Sequence, residues 1–134
     1  MKNPINVSGK EFESLIEKTL KSSNHSYECN VSKGIDYKLK LDNKIIGIEV
    51  KAQKQGGTTD EKLMYSIYKY SKKYKEIIYV LHPAFKFRSG IRESMEFVAT
   101  NQNVKLSFIW GAKDLNDYLN RKVINKTSTI SRFC

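Results

Sequence analysis

The chain has few of the residues that build metal cages, cross-links or membrane spans. Its 134 residues include two cysteines, two histidines and two prolines. Cys29 and Cys134 are far apart, which gives neither a disulfide framework nor a zinc spacing. Such cysteine usage fits a reducing, intracellular compartment, cytoplasm or nucleoid. With only His25 and His82, histidine-based zinc chemistry is not expected. No apolar run approaches the roughly 18 residues of a transmembrane helix. The opening MKNPINVSGKEFE carries no apolar signal segment, so neither a membrane partner nor export is expected. Acidic residues are also scarce: 14 against 24 lysines and arginines, a net charge of +10. That excess points to a polyanionic partner, nucleic acid first, but does not separate a nuclease from a passive binder. With 40% apolar and 28% charged residues, the chain reads as one folded domain over 1–134. Its core is expected within 8–110, with a loose polar tail from about Asn125.

What is present reads as an alternating α/β pattern. Residues 8–21 read as a helix capped by Ser8, with Phe12, Leu15, Ile16 and Leu20 at helical spacing. A short strand is expected over 27–31. From Gly34, Ile35, Tyr37, Leu39 and Leu41 alternate with Asp36, Lys38 and Lys40, which is strand period. Asp42-Asn43 is a turn signal, and 45–53 is a second strand. Thr58 or Thr59 is expected to cap a helix, Glu61 completing a capping box with Thr58. Leu63, Ile67, Tyr70 and Tyr74 form its apolar stripe, widened by Met64 and Tyr68. Strands at 77–81 and 104–110 and helices at 89–100 and 113–119 complete the order α-β-β-β-α-β-α-β-α. That order predicts an α/β fold, a mixed sheet flanked by helices.

The hairpin carries the chemistry. A two-residue turn at 42–43 pairs residues whose numbers sum to 85, placing Asp36 directly across from Glu49. Lys51 and Gln53 follow at intervals of two and project from the same face. The other face carries Tyr37, Leu39, Leu41, Ile46, Ile48 and Val50, with Ile35, and reads as the core. Two opposed carboxylates repel one another and weaken the sheet. A divalent cation removes that penalty, and hard oxygen ligands suit Mg²⁺, with Mn²⁺ able to substitute. Such a cation, with Lys51 holding the attacking water or stabilising the phosphorus centre, supplies the parts for phosphodiester hydrolysis. Alternating polar residues on a solvated strand face are the bland alternative.

Gly34-Ile35-Asp36, thirteen residues on to Glu49, then Glu49-Val50-Lys51 with Gln53, resemble the PD-(D/E)XK nuclease superfamily. That group includes restriction endonucleases, Holliday junction resolvases and repair nucleases. The resemblance covers roughly residues 8–81 and implies a restriction-endonuclease-like α-β-β-β-α-β core. It implies that Asp36 and Glu49 bind metal and that Lys51 is catalytic, with Gln53 orienting Lys51 or the phosphate. Ile35 stands where the motif's proline would be. The resemblance also implies a helix glutamate at the metal, for which Glu13 is the match. Gly56-Gly57-Thr58-Thr59 and the following residues are similar to a segment of some restriction-type nucleases. A glycine-rich turn opening a helix also offers N–H groups to phosphate, so Gly57, Thr58 and Thr59 are candidate DNA contacts.

Further candidate DNA contacts are Lys54, Lys62, Arg88 and Arg92. Tyr65, Tyr68, Tyr70 and Tyr74 share one helix; core or dimer packing is favoured over base stacking. Trp110 and His82 read as structural. The expected activity is Mg²⁺-dependent endodeoxyribonuclease cleavage, restriction- or homing-type, by direct water attack. A Holliday junction resolvase-like nuclease and a non-catalytic nucleic-acid-binding domain are the alternatives. Cutting both strands of DNA with so short a chain implies a homodimer or a higher symmetric oligomer. The tyrosine-rich helix or the C-terminal third is the expected interface.

Overall fold

The computed structural model describes residues 3–29, 34–41, 43–53, 60–121 and 132–133. A 3₁₀ turn, Pro4–Asn6, precedes α1, Gly9–Ser22. Ser8 caps α1 as its sequence suggests, its Oγ accepting the Glu11 N–H at 3.1 Å. Phe12, Ile16 and Leu20 are buried, whereas Leu15 is 41% exposed. Leu15 lies about 100° around the helix from the centre of that stripe, too far to share it.

Three antiparallel strands follow: β1, Ser26–Cys29; β2, Tyr37–Leu41; and β3, Lys44–Lys51. Leu41 pairs with Lys44, and Tyr37 with Ile48, so the register sums to 85. A short turn fixes register because a one-residue slip would turn every side chain to the wrong face. Next come α2, Asp60–Tyr70; β4, Glu76–Leu81; α3, Ile91–Asn101; β5, Lys105–Trp110; and α4, Gly111–Asn120. β3, β4 and β5 are parallel, so Lys51, Leu81 and Trp110 align at one end of the sheet. A two-residue strand, β6, Arg132–Phe133, pairs in parallel with β1. The sheet order is β5-β4-β3-β2-β1-β6. The fold is thus α/β, with a mixed sheet flanked by four helices.

Both faces of the sheet are covered. α1 and α4 pack over Leu39, Leu41, Ile46, Ile48, Ile78 and Val80. On the opposite side, α2 and α3 cover Ile35, Ile77, Tyr79 and Leu81. β4 is buried along its whole length, as a parallel strand with helices on both sides should be. Each such Ile or Leu stabilises the fold by roughly 1.5–3 kcal/mol. The α2 stripe of Leu63, Ile67, Tyr70 and Tyr74 is buried, but Tyr68 is 47% exposed and does not widen it. His82 is buried beyond the end of β4. Its partners assign the tautomer: Nε2–H donates to Val7 O at 2.6 Å, and Nδ1 accepts from Ala84 N–H at 3.0 Å. It therefore ties the N-terminal turn to the sheet.

Three sequence expectations are corrected. Ile35 does not share the core face of Tyr37, Leu39 and Leu41: it packs under α2, so both faces of the hairpin are covered. Cys29 is disulfide-bonded, so the free-thiol argument for a reducing compartment falls. Sequence distance hid the β1–β6 pairing, which brings Arg132–Phe133 beside Tyr27–Glu28. The tail expected to be loose lies mostly outside the described residues, and its described part, Arg132–Phe133, is paired in the sheet. Among the described residues, no helix is long and apolar enough to cross a membrane.

Candidate active site

The site is built where β2 begins and β3 ends. Asp36 immediately precedes β2 and lies half-buried. Its Oδ2 accepts the Val50 N–H at 2.7 Å, so a main-chain bond holds the carboxylate against β3. Glu49 is 5% exposed on β3, in register with Tyr79 of β4. It faces α2, where Tyr70 Oη lies 2.9 Å from Glu49 Oε2 and 2.7 Å from Gly34 O, its one hydrogen shared between the two acceptors. Lys51 Nζ lies 3.8 Å from Glu49 Oε2 and is half-buried. The carboxyl ends of parallel strands are where open α/β sheets place their ligands, and β3 ends there.

Asp36 and Glu49 are close enough to hydrogen-bond, which two carboxylates do only by sharing a proton. Burial first, then the hydrogen bond and charge of Asp36, push the Glu49 carboxyl up to about 8, against the lowering effects of Lys51 and Tyr70. Burial also pushes the Tyr70 phenol up, with the Glu49 charge adding to it, so it remains a donor. With its pKa raised to about 8, the Glu49 carboxyl favours its protonated form at neutral pH.

Gly34 makes this arrangement possible. Its φ is +132°, and an added Cβ would sit 3.0 Å from Tyr70 Oη and 3.3 Å from Lys69 Nζ. Gly47 does the same for the strand behind: a Cβ there would collide with Ile35 Cδ1 and the Tyr74 ring.

On the α1 side, Asp36 lines a cleft of about 350 Å³ with Glu13, Glu17, Lys10, Tyr37 and Cys29. Burial, and next the Glu17 charge, push the Tyr37 phenol up to about 12. The structure thus brings Glu13 to the same cleft as Asp36, while Glu49 lies on the α2 side of the sheet. Among the described residues, no three His, Cys, Asp or Glu side chains converge as a complete cation cage. A pair of hard carboxylates still fits an ion such as Mg²⁺, which keeps several waters and takes substrate oxygens in its remaining positions.

The other expected residues are scattered. Gln53 is half-buried just beyond β3. Lys54, Gly57, Thr58 and Thr59, and with them the capping box, lie outside the described residues. Lys62 is exposed on α2, and Arg88 is exposed in the turn before α3. Arg92 stacks over Phe108 and Trp110, 5.1 and 5.6 Å from the ring centroids, and pairs with Glu96 at 3.2 Å. Trp110 is half-buried, and its Nε1–H donates to Phe85 O at 3.0 Å. Tyr70 is the member that sequence reasoning misses. Its position on a buried stripe is a usable signal, because a buried tyrosine hydroxyl needs a polar partner.

No family model matches the chain, and no curated protein sequence matches it significantly.

Proposed function

We propose that this protein is a Mg²⁺-dependent endodeoxyribonuclease of the PD-(D/E)XK type. The reading rests on one observation: Asp36, held at the start of β2 by the Val50 N–H, lies beside a buried Glu49 of β3, with Lys51 Nζ 3.8 Å from Glu49. A repulsive pair at this depth is a liability to the sheet unless positive charge occupies it. The net charge of +10 supports a polyanionic substrate. The α-β-β-β-α-β element order over α1 to β4 is the order that the resemblance implies.

In this reading, Asp36 and Glu49 would hold the cation, and Glu13, which lines the cleft with Asp36, would be its further carboxylate. A bound divalent cation neutralises charge on the phosphate and lowers the pKa of a water. Lys51 orients that water or stabilises the phosphorus centre. Tyr70 fixes the Glu49 carboxylate, and Gln53 orients Lys51 or the phosphate. The water oxygen bonds to phosphorus, the bond to the leaving sugar oxygen breaks, that oxygen takes a proton from solvent, and the water's proton is lost to solvent. Sequence-specific restriction- or homing-type cutting is the leading form, with a symmetric dimer serving the two strands.

The test is incubation with supercoiled plasmid and with a synthetic four-way junction, in Mg²⁺ and in EDTA, beside Lys51→Ala protein. Metal-dependent cutting that the variant loses supports the reading, and the preferred substrate separates restriction from junction resolution. DNA retarded but intact under every condition turns the assignment to a binding domain.

A further inference from the structure

The four tyrosines of the α2 region divide sharply. Tyr70 and Tyr74 are buried in the core, whereas Tyr65 is 66% and Tyr68 47% exposed. Both belong to the small set of exposed large hydrophobic side chains among the described residues. They are neighbours, with ring centroids 6.4 Å apart and planes tilted by 36°. On a helical projection Lys62, Tyr65, Tyr68 and Lys69 fall on one face, with Glu61 as the single acid among them, and Lys72 follows in the turn after α2. Lys72 Nζ sits 5.3 Å over the Tyr68 ring. Lys69 Nζ lies 5.9 Å over the ring of Tyr70, the residue whose hydroxyl reaches Glu49. The face therefore runs from open solvent to the wall of the candidate active site.

We infer that this face of α2 is a stacking platform for unpaired bases, and that the substrate includes a single-stranded stretch of DNA. Two exposed aromatic rings offer π-faces that any base can use, and adjacent ammonium groups meet the phosphates between bases. Tyrosine suits such a role because its hydroxyl keeps the exposed ring wetted. A second copy of the chain fits this face less well. A two-fold contact would set Lys62, Lys69 and Lys72 against their own copies, with one glutamate per chain to offset them. The assignment of substrate rests on the nuclease reading; the binding surface does not.

The experiment uses a fifteen-nucleotide oligo-dT carrying one 2-aminopurine, in EDTA so that no cutting intervenes. Binding should quench the 2-aminopurine emission, because stacking does so. The pair Tyr65→Ala with Tyr68→Ala should weaken binding by about five- to a hundredfold per ring and abolish the quench. The pair Tyr65→Phe with Tyr68→Phe should keep both. Duplex of the same length should respond less to the alanine pair. Unchanged affinity in the alanine pair, or equal loss in both pairs, would overturn the assignment. So would a dimer that becomes monomeric in the alanine pair with DNA affinity intact, since the face would then join two copies. If the alanine pair does not fold, absence of quenching with the wild-type protein overturns the assignment equally. A protein that stacks the probe but cuts nothing in Mg²⁺ keeps this surface and loses the nuclease reading.

Discussion

Tyr70 and Glu49 meet across the β3–α2 interface, the phenol oxygen 2.9 Å from Oε2. The same hydroxyl also reaches the carbonyl of Gly34, two residues before Asp36. One buried side chain thus ties together the segment entering β2, the acidic residue of β3 and the helix that covers them.

Tyr70→Phe should weaken Mg²⁺ binding without removing it. The lost bond is one that lowers the Glu49 pKa, so the variant's carboxyl is harder to ionise. A hydrogen bond to a charged group contributes about 1.5–3 kcal/mol, or roughly ten- to a hundredfold in affinity. Calorimetric Mg²⁺ titration at pH 7 and pH 9 checks this. The defect should shrink at the higher pH, and an equal defect at both would assign Tyr70 to packing alone.

In EDTA, stability should fall as pH rises. Glu49 is raised to about 8 in the folded chain from an ordinary 4.5, so the folded state holds a proton that the unfolded state releases. That contribution is complete below about pH 4.5 and is lost progressively as pH rises through 8. The slope approaches 1.4 kcal/mol per pH unit at most. Thermal melts from pH 4 to 9 should show this decline in the wild type and a flatter profile in Glu49→Gln. Added Mg²⁺ should restore the wild type at pH 8 and leave the variant unmoved.

Gly34→Ala should destabilise by about 1–3 kcal/mol, since its φ of +132° disfavours any side chain and the new methyl would crowd Tyr70 Oη. Chemical denaturation measures the loss. The same variant should also lower Mg²⁺ affinity, because the displaced hydroxyl is the one on Glu49. A stability loss with Mg²⁺ affinity intact would separate the turn from the site.

Arg92→Ala should reduce stability by about 0.5–2 kcal/mol, as its guanidinium covers Phe108 and Trp110. Fluorescence anisotropy with a duplex probe should show affinity within twofold of wild type. A tenfold drop there, with unchanged melting, would instead make Arg92 a phosphate contact.

Much of the local structure was legible in the residues. The sum of 85 across the hairpin held, because a short connection leaves one register that keeps Leu39, Leu41, Ile46 and Ile48 on a single face. Ser8 capped its helix, and the stripe of Leu63, Ile67, Tyr70 and Tyr74 was buried, because both depend on spacing within one element. The expected opposition of Asp36 and Glu49 falls just outside the ladder, which begins one pair later, at Tyr37 and Ile48, and Asp36 is instead tied to β3 by its bond from the Val50 N–H.

Other features depended on partners far away in the chain. Strand alternation could not say that α2 would cover the polar side of β3, so the burial of Glu49 and its raised pKa were hidden. Nothing near Tyr70 in sequence names Gly34 or Glu49 as its partners, and nothing near Cys29 signals a disulfide. Leu15 and Tyr68 sat at apolar-looking positions yet stayed at the surface, because a packed helix buries only the arc that its neighbours can reach. The sequence by itself determined most of the elements, the hairpin register and the charge, since each follows from short-range periodicity and composition. The tertiary structure alone decided which face of the sheet is wet and which hydroxyl meets which carboxylate, since those contacts exist only once distant segments close around a shared core.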